Sequence, residues 1–367
     1  MKRRSSIILS FSVVLLAFCI ICPAKAQAAS SEPTYLCTHN AYRNSFGQAE
    51  FTGTDLIAGN TAGTQYKAFS IVDYNDYNNN VFHMSFYMRG RTVYYSITPL
   101  NPNYFQNGSE PQEIWAFNVD SGDKELIARD AGDIIGGYGS NIITRRWDTG
   151  AVYKVRRNSK AKLLTVQKGK SKDNDCISLF QGKLYYSNRC FDLDTGKIST
   201  FTAGSIVTTG KYMYYVSGAK NLVCMNSSGK KTYCAKNIRD IIGGNNNANA
   251  VFRKNSNGAL TIYRVNSKGR IYKLTAQNKL EKAAFGGAYP ADTTRAVFCN
   301  GKVCFFLQSG TSAGAVVTVP NTGGPLKKEA TVHDGVGTAE VVGKTVYYTQ
   351  LGFDDFDHNC GCKLNVK

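Results

Sequence analysis

The sequence predicts an all-β protein with the fold of a six- to seven-bladed β-propeller. Two short phrases, which we call the head and the tail, recur along the chain, and both have the composition of a β-strand beside a tight turn. Heads that begin at 90, 139, 182 and 210, and later at 301 and 343, give neighbouring intervals of 49, 43, 28 and 42 residues, and the short one leaves the blade count open between six and seven. One four-stranded propeller blade takes about 40 to 50 residues, which most of these intervals match.

The heads predict strands. Each starts at or near a glycine, which supplies the positive φ of a tight hairpin, and continues with β-branched and aromatic residues. Because neighbouring strand residues point to opposite faces, pairs such as Tyr214 and Tyr215 are expected to pack against the blades on both sides. The seven heads are GRTVYYS (90–96), GSNIITR (139–145), GKLYYSN (182–188), GKYMYYV (210–216), the degenerate NANAVFR (247–253), GKVCFFL (301–307) and GKTVYYT (343–349).

The tails predict the strand that enters the next hairpin. Each alternates apolar and polar residues and ends in Asp, Asn or Ser close to Gly, which is the chemistry of a type I turn closed by a left-handed residue. A third element, DIIGG, precedes two heads at Asp133 and Asp240, and DLIAG at Asp55 is similar. The six tails are IWAFNVDSGDK (114–124), VYKVRRNSK (152–160), CFDLDTGK (190–197), LVCMNSSGKK (222–231), IYRVNSKGR (262–270) and VVTVPNTGG (316–324).

The phrases GKYMYYVSGAKNLVCMNSSGKK and VVTVPNTGGPLKKEA resemble those of secreted bacterial β-propellers related to the YWTD-type blades of low-density-lipoprotein-receptor-like proteins. The resemblance covers about residues 80–350 and implies a propeller fold. The related domains are mostly noncatalytic or uncharacterised. This chain has Tyr-Tyr without the Trp-Thr-Asp that follows in YWTD blades. The receptor contacts of those families therefore do not transfer to it.

The amino terminus predicts export. Basic residues precede an apolar run of 16 residues from Ile7 to Cys22, and small residues follow, which is the order of a secretory signal peptide. The run is shorter than the ~20 residues of a membrane-spanning helix. We expect residues 1–28 to be removed, which leaves a single propeller domain over 29–367 that is secreted or held at the cell surface, with no transmembrane segment. Acylation at Cys19 or Cys22 is the alternative, but Phe18 and Ile21 stand where a small residue is expected.

Charge indicates the class of partner. Removal of the signal peptide leaves 40 Lys and Arg against 26 Asp and Glu, a formal charge of +14. Such a charge keeps a protein dispersed, and it also attracts polyanions. Outside the cell we expect an anionic glycan or cell-wall polymer, or a protein, rather than a nucleic acid. A monomer is expected.

Nine cysteines remain after the signal peptide, and an exported chain with an odd number keeps one thiol unpaired or shares it with another chain. Cys224 and Cys234 flank a predicted turn and are expected roughly opposite each other, where a cross-strand bridge fits. An Asn-Gly turn between Cys299 and Cys304 would place that pair diagonally, a poorer geometry. The pairs predicted within the blades are Cys224 with Cys234, Cys299 with Cys304, and Cys176 with Cys190 through strand ends.

The two chain ends predict how the ring closes. The last head lacks a full tail, and the amino-terminal segment precedes the first head without a blade of its own. A first strand that completes the last blade would place Cys37 near Cys360 or Cys362. A bridge between Cys37 and Cys362 would stabilise the closed ring by about 2 to 5 kcal/mol.

The segment FDDFDHNCGC offers the only candidate metal ligands that we single out, Asp354, Asp355, Asp357 and His358. Carboxylate oxygens suit calcium, and a mixed set with histidine or cysteine suits zinc, but neither ligand spacing is standard. A solvated loop is the competing interpretation. No other cofactor is predicted.

No catalytic residue is predicted. Sialidase Asp-boxes and the G-x-S-x-G elbow of hydrolases are both missing from the sequence. The paired carboxylates of DLDTGK and VDSGDK fall in repeated turns, where Asp is expected to cap its own backbone. The favoured hypothesis is a noncatalytic binding or scaffolding module. The alternatives are a carbohydrate-active lyase or hydrolase that uses the central cavity, and an elongated repeat protein with a structural role.

Overall fold

The computed structural model describes residues 35–45, 48–59, 66–73, 86–89, 92–97, 113–118, 121–146, 149–166, 177–186, 188–209, 211–245, 248–256, 258–287, 291–310, 313–332, 336–342, 344–350 and 360–367. Over these residues the protein has thirty strands, β1 to β30, and one helix, α1 (Gln277–Phe285). None of the helical structure described there has the length and apolar character needed to cross a membrane.

The strands form eight antiparallel sheets in chain order, which we number blades 1 to 8. Blade 1 consists of β1 (Tyr35–Ser45), β2 (Gln48–Gly59) and β3 (Tyr66–Asp73). Blade 2 consists of β4 (Phe86–Arg89), β5 (Thr92–Ile97), β6 (Glu113–Asn118) and β7 (Lys124–Ala128). Blade 3 consists of β8 (Asp133–Tyr138), β9 (Asn141–Arg145), β10 (Ala151–Arg156) and β11 (Ser159–Thr165). Blade 4 consists of β12 (Ser178–Phe180), β13 (Lys183–Tyr186), β14 (Arg189–Asp192) and β15 (Ile198–Thr200).

The second half of the chain repeats the pattern. Blade 5 consists of β16 (Ala203–Thr209), β17 (Tyr212–Ser217), β18 (Leu222–Asn226) and β19 (Lys231–Ala235). Blade 6 consists of β20 (Ile238–Asn245), β21 (Asn249–Ser256), β22 (Ala259–Asn266) and β23 (Ile271–Ala276). Blade 7 consists of β24 (Asp292–Cys299), β25 (Lys302–Ser309), β26 (Ala313–Pro320) and β27 (Lys327–Val332). Blade 8 consists of β28 (Val336–Val342), β29 (Thr345–Gln350) and β30 (Cys360–Asn365).

The arrangement is a β-propeller, as the repeats predict. Strands within each blade pair in simple succession, and from blade 2 to blade 8 the first strand of each blade contacts the first strand of the next. The first strands therefore lie innermost and run in one direction. It follows that the turns from first to second strand and from third to fourth strand share one end of the propeller, which we call the turn face. The remaining connections lie at the other end, the opposite face.

Apolar clusters between consecutive blades form the core. Tyr214 packs with residues of blade 6, whereas the adjacent Tyr215 packs with residues of blade 4. Phe305 and Phe306 divide in the same way between blades 6 and 8. The prediction that neighbouring head residues serve both faces of a blade is confirmed. No blade hides its own two sides, so each depends on its neighbours for burial worth roughly 1.5 to 3 kcal/mol per large apolar side chain.

The turn chemistry also follows the prediction. Asn300 and Gly301, between β24 and β25, have φ of 47° and 73°, the paired positive values of a two-residue hairpin turn. Cys299 pairs with Lys302 across this turn, so Cys304 lies diagonally from Cys299, as expected. The third-to-fourth strand turns also contain a residue with positive φ, for example Gly229 with φ of 81° in blade 5 and Asn158 with φ of 55° in blade 3.

Two features differ from the sequence-based expectation for the ring. The described residues form eight sheets where six or seven blades are expected, because blade 1, between 35 and 73, contains neither the head nor the tail phrase that marks the other seven. The first strand does not complete the last blade. β1 pairs along its whole length with β2 in blade 1, while its backbone contacts all three strands of blade 8.

The helix α1 has no counterpart in the sequence-based prediction. It connects blade 6 to blade 7, and its buried residues are Gln277, Leu280 and Ala284. Only two of its apolar residues, Leu280 and Ala284, are fully buried, so the helical period is weak in the sequence. The Gln277 amide fixes the helix to blade 7, because Nε2 donates to the Ala291 carbonyl at 2.9 Å and Oε1 accepts from the Thr293 hydroxyl at 3.0 Å.

Candidate functional site

The DIIGG elements are the innermost strands of blades 3 and 6, and their second glycine makes room for the preceding blade. The ring of Tyr87 in blade 2 lies against Gly137 in blade 3. A Cβ on Gly244 in blade 6 would lie 2.6 Å from a methyl carbon of Thr209 in blade 5. Real Cβ atoms do not approach other atoms within 3.0 Å, so these positions accept only glycine unless the neighbour moves.

The first glycine of each DIIGG element faces the following blade. A Cβ on Gly136 would lie 3.1 Å from Leu179 of blade 4, and a Cβ on Gly243 would overlap the backbone carbonyl of Ala296 in blade 7. The third motif of the sequence is thus a packing device for the crowded centre of the propeller. It positions the innermost strands and does not itself present chemistry to a ligand.

A pocket of about 310 Å³ opens on the turn face, where the innermost strands of blades 2 to 5 end. This is at the small end of the range for ligand pockets, about 300 to 1,000 Å³. Of the described residues that line it, none is acidic and none is a histidine or a cysteine. Its tyrosines, glycines and polar side chains are Tyr87, Tyr138, Gly136, Gly137, Gly182, Gln181 and Thr208.

The charged groups beside this pocket have hydrogen-bond or ion-pair partners. The Tyr138 hydroxyl donates to Asp194 Oδ2 at 2.5 Å, and this hydrogen bond is the main cause that raises the pKa of Tyr138. Lys183 forms an ion pair with Asp192, which raises the pKa of Lys183. The same contact with Lys183, followed by hydrogen bonds from Thr195, lowers the pKa of Asp192. Lys183 and Asp192 therefore neutralise each other, whereas Asp194 keeps its negative charge beside the neutral Tyr138 hydroxyl.

One carboxylate of DLDTGK, Asp192, caps its own turn, as predicted, whereas Asp194 accepts from Tyr138. Asp192 Oδ1 accepts hydrogen bonds from the backbone N–H groups of Asp194 at 3.1 Å and Thr195 at 2.9 Å. Such a side chain replaces backbone partners in a tight turn. Asp192 is therefore engaged in structure, and it does not form a catalytic pair with Asp194.

Blades 5 and 6 carry an extreme charge imbalance. Residues 201–276 contain twelve Lys and Arg and a single acidic residue, Asp240. Asp240 lies on the opposite face, where Arg253 donates to it through Nε at 2.7 Å. Arg253 also reaches Asp292 of blade 7, with 3.4 Å between Nη1 and Oδ1. The one acidic group of these two blades is thus neutralised far from the turn face.

Matching turns hold the basic residues of the turn face in place. In blade 5, Asn226 Oδ1 accepts hydrogen bonds from the backbone N–H groups of Ser228 at 3.1 Å and Lys230 at 2.9 Å. In blade 6, Asn266 Oδ1 accepts them from Lys268 at 3.1 Å and Arg270 at 3.0 Å. The tail motif therefore places basic residues at equivalent positions of neighbouring blades.

The two turns form one continuous surface. A Cβ on Gly269 would lie 3.5 Å from the Thr232 side chain and 3.9 Å from the Tyr233 carbonyl, so the blade 6 turn packs directly on β19 of blade 5. We call the four exposed basic residues of these turns the basic turn patch. They are Lys230, Lys231, Lys268 and Arg270. Within the described residues none of the four forms an ion pair.

The net charge of the whole chain does not predict the basic turn patch, because basic residues occur throughout the sequence. The scarcity of acidic residues in blades 5 and 6 is the signal that distinguishes these two blades.

The predicted disulfide between Cys224 and Cys234 stays a prediction, with one correction to its geometry. Both cysteines carry free thiols in the structure and belong to the same apolar cluster between blades 5 and 6. Cys224 faces Thr232 and not Cys234, because a β-bulge at Leu222 and Val223 leaves Cys234 as the extra residue. Burial raises the pKa of the Cys234 thiol to about 11.

The other cysteine predictions are likewise untested. Cys304 and Cys190 are buried free thiols, and burial raises the pKa of Cys304 to about 12. Cys176 lies outside the described residues. The strand that carries Cys37 contacts the strand that carries Cys362, but both side chains lie outside the description.

The candidate metal ligands Asp354, Asp355, Asp357 and His358 lie outside the described residues, as does the predicted signal peptide, 1–28. Within the described part of the chain, no group of three or more His, Cys, Asp and Glu side chains could hold a metal ion. The predicted calcium site is therefore untested.

Comparison with known proteins gives likenesses among solved structures only. No protein-family model matches the chain, and no curated protein matches it. BamB from Moraxella catarrhalis is similar at 10% identity and a TM-score of 0.44, over 87% of this chain and 97% of that one. The computationally designed Ika8 protein is similar at 8% identity and a TM-score of 0.45, over 92% and 98% of the two chains. TolB from Acinetobacter baumannii matches at 11% identity and a TM-score of 0.37, over 64% and 62%.

Proposed function

We propose that this chain is an exported, noncatalytic β-propeller that binds an anionic glycan or cell-wall polymer through the basic turn patch of blades 5 and 6. The charge imbalance of residues 201–276, twelve basic residues against one acidic residue, carries the proposal. The kinship with YWTD-type propellers and the extracellular location are part of the same proposal. They are supported by the Tyr-Tyr strands and by the composition of the amino terminus.

The position of the charge favours binding over simple solubility. A solubilising charge can be spread over a surface in any arrangement. Here the four residues of the basic turn patch lie on two adjoining turns, which Asn226 and Asn266 fix by hydrogen bonds. None of the four has an ion-pair partner among the described residues. A row of unneutralised cations at one face attracts a linear polyanion and gains from counterion release when the polymer binds.

The alternative of a carbohydrate-active enzyme finds no support at the central pocket. General acid–base cleavage of a glycosidic bond generally needs two carboxyl groups on either side of the bond. The described lining of the pocket is tyrosine, glycine, glutamine, threonine and apolar side chains. A polysaccharide screen with and without calcium that releases products would favour the enzyme over the binding module.

Salt-gradient elution from immobilised polyanions tests the proposal. The mature chain is applied at low salt to columns of polyphosphate, heparin and polygalacturonate. The patch variant replaces Lys230, Lys231, Lys268 and Arg270 by serine. We expect the native chain to be retained on at least one column and the patch variant to elute at clearly lower salt.

A matched variant on the opposite face controls for net charge. Four lysines lie near the opposite-face connections of blades 5 and 6 or on α1, and replacing them by serine removes the same charge as the patch variant does. They are Lys220, Lys236, Lys254 and Lys279. This control should elute with the native chain. Equal shifts for the two variants would show that net charge alone governs retention, and a native chain that is not retained at low salt would refute the polyanion ligand.

A further inference from the structure

Two guanidinium groups of blade 6 lie against a single tyrosine ring beside the basic turn patch. Cζ of Arg264 is 4.0 Å from the centroid of the Tyr272 ring, and Cζ of Arg270 is 5.0 Å from it. Arg264 and Tyr272 are directly paired residues of β22 and β23, so their side chains share one face of the blade. Planar guanidinium groups favour aromatic faces, which fixes their orientation.

Arg264 is held in place by neighbours and keeps unused donors. Its Nη1 donates to Asn249 Oδ1 at 3.2 Å, and the backbone N–H of Asn249 donates to Asn245 Oδ1 at 3.0 Å. The Nε atom of Arg264 is buried and has no hydrogen-bond partner. A guanidinium that is already ordered loses little conformational entropy when it binds a ligand.

The electrostatic surroundings favour an anion at this point. Arg264 and Arg270 form no ion pair within the described residues, and Asp240, the only acidic residue of blades 5 and 6, lies on the opposite face. Two like charges next to one ring repel each other, and an anion between or beside them would remove that repulsion. The fork of a guanidinium matches a group with two or more terminal oxygens.

We propose that Arg264, Tyr272 and Arg270 form an oxyanion subsite that takes one phosphate, sulfate or carboxylate group of the bound polymer. The inference rests on the proposed function and deepens it. The lysines of the basic turn patch attract the polymer as point charges, whereas this subsite selects a planar or tetrahedral oxyanion and fixes the register of the chain. Specificity then depends on hydrogen-bond geometry, and not only on charge.

Charge-conserving substitutions separate the two roles. Arg264→Lys and Arg270→Lys keep the positive charge but lose the planar fork, and Arg239→Lys on the opposite face is the matched control. Binding to polyphosphate and to polygalacturonate is measured by titration calorimetry at several salt concentrations. We expect Arg264→Lys to weaken binding of the preferred polymer about tenfold, the value of one charge-assisted hydrogen bond, without changing the salt dependence. Arg239→Lys should bind as the native chain does.

The outcomes distinguish this inference from the proposed function. Binding by Arg264→Lys within about twofold of native would overturn the subsite and leave the proposed function standing. A native chain that binds neither polymer would overturn both. If Arg264→Lys melts at a much lower temperature than the native chain, binding is compared between the native chain and Arg270→Lys, whose substituted side chain is exposed. Unchanged binding by Arg270→Lys would then overturn the subsite.

Small anions identify the chemical class of the group. The arginine Nε–H signals of the full mature chain are followed by NMR during titration with inorganic phosphate, sulfate or acetate. The Arg264 signal, assigned by its loss in Arg264→Lys, should shift with one or more of these ions. Phosphate or sulfate alone would indicate a tetrahedral group and acetate alone a carboxylate, whereas no shift with any ion would contradict the subsite.

Discussion

Replacing Gly243 by alanine should force blades 6 and 7 apart at the centre of the propeller. A Cβ there would lie well inside 3.0 Å of the Ala296 carbonyl, and that atom belongs to backbone which cannot swing aside. To restore a contact of 3.4 Å, the innermost strands β20 and β24 would have to separate by roughly 1 Å, with loss of dispersion contacts along both. Overpacking against side chains costs about 1 to 3 kcal/mol, and we expect at least 3 kcal/mol against backbone.

Thermal unfolding followed by circular dichroism measures the effect, and Gly204→Ala is the matched control. Both glycines lie in innermost strands, but the nearest atom to a Cβ on Gly204 is 4.0 Å away. For a chain of this size, 3 kcal/mol corresponds to a decrease in Tm of roughly 5 °C or more. Gly204→Ala should be neutral or stabilising by up to about 1 kcal/mol. Similar Tm values for the two variants would refute the close approach of the innermost strands.

Three further perturbations have defined outcomes. Arg253→Met should lower the free energy of unfolding by about 2 kcal/mol, which is less than for a fully buried pair because Asp292 is largely exposed. A double-mutant cycle with Asp240→Asn, measured by urea unfolding, should show that the effects of the two substitutions are coupled. Lys183 lowers the folded-state pKa of Asp192, so this carboxylate stabilises the protein above pH about 4 and loses its effect as the pH falls further. The difference in stability between the native chain and Asp192→Asn should therefore vanish in acid. A difference that stays constant with pH would contradict the pairing. The fully buried Cys304 thiol, with a pKa of about 12, should resist alkylation at pH 8 until denaturant is added. Mass spectrometry locates the labelled cysteine. Rapid labelling of Cys304 in the native chain would contradict its burial between blades 7 and 8.

The repeated phrases predict the architecture because local chemistry determines it. Alternating residues of the heads and tails specify strands, and residues such as Gly301 and Asn266 specify the turns that join them. The same logic explains why Asp192 is a turn residue and not a catalytic acid. These features depend on contacts within a few residues, which a single sequence records directly.

Features that depend on distant packing could not be predicted in the same way. The glycines of DIIGG are recognisable as a motif, but only the structure shows that Gly243 approaches blade 7. Pairing of β1 with β2 depends on which of two available edges binds more strongly, and the sequence of β1 alone does not decide it. The stack of Arg264 and Arg270 on Tyr272 joins two strands and a turn, so that linear spacing gives no sign of it.

The salt dependence of polyphosphate binding tests the proposed role of the basic turn patch most directly. The logarithm of the association constant is plotted against the logarithm of salt concentration for the native chain, the four-serine patch variant and the opposite-face control. Each cation that displaces a condensed counterion from a single-stranded polyanion contributes about 0.7 to the slope, so loss of four should make the slope shallower by up to about 3. The account predicts this change for the patch variant and none for the control; equal slopes for the native chain and the patch variant would contradict it.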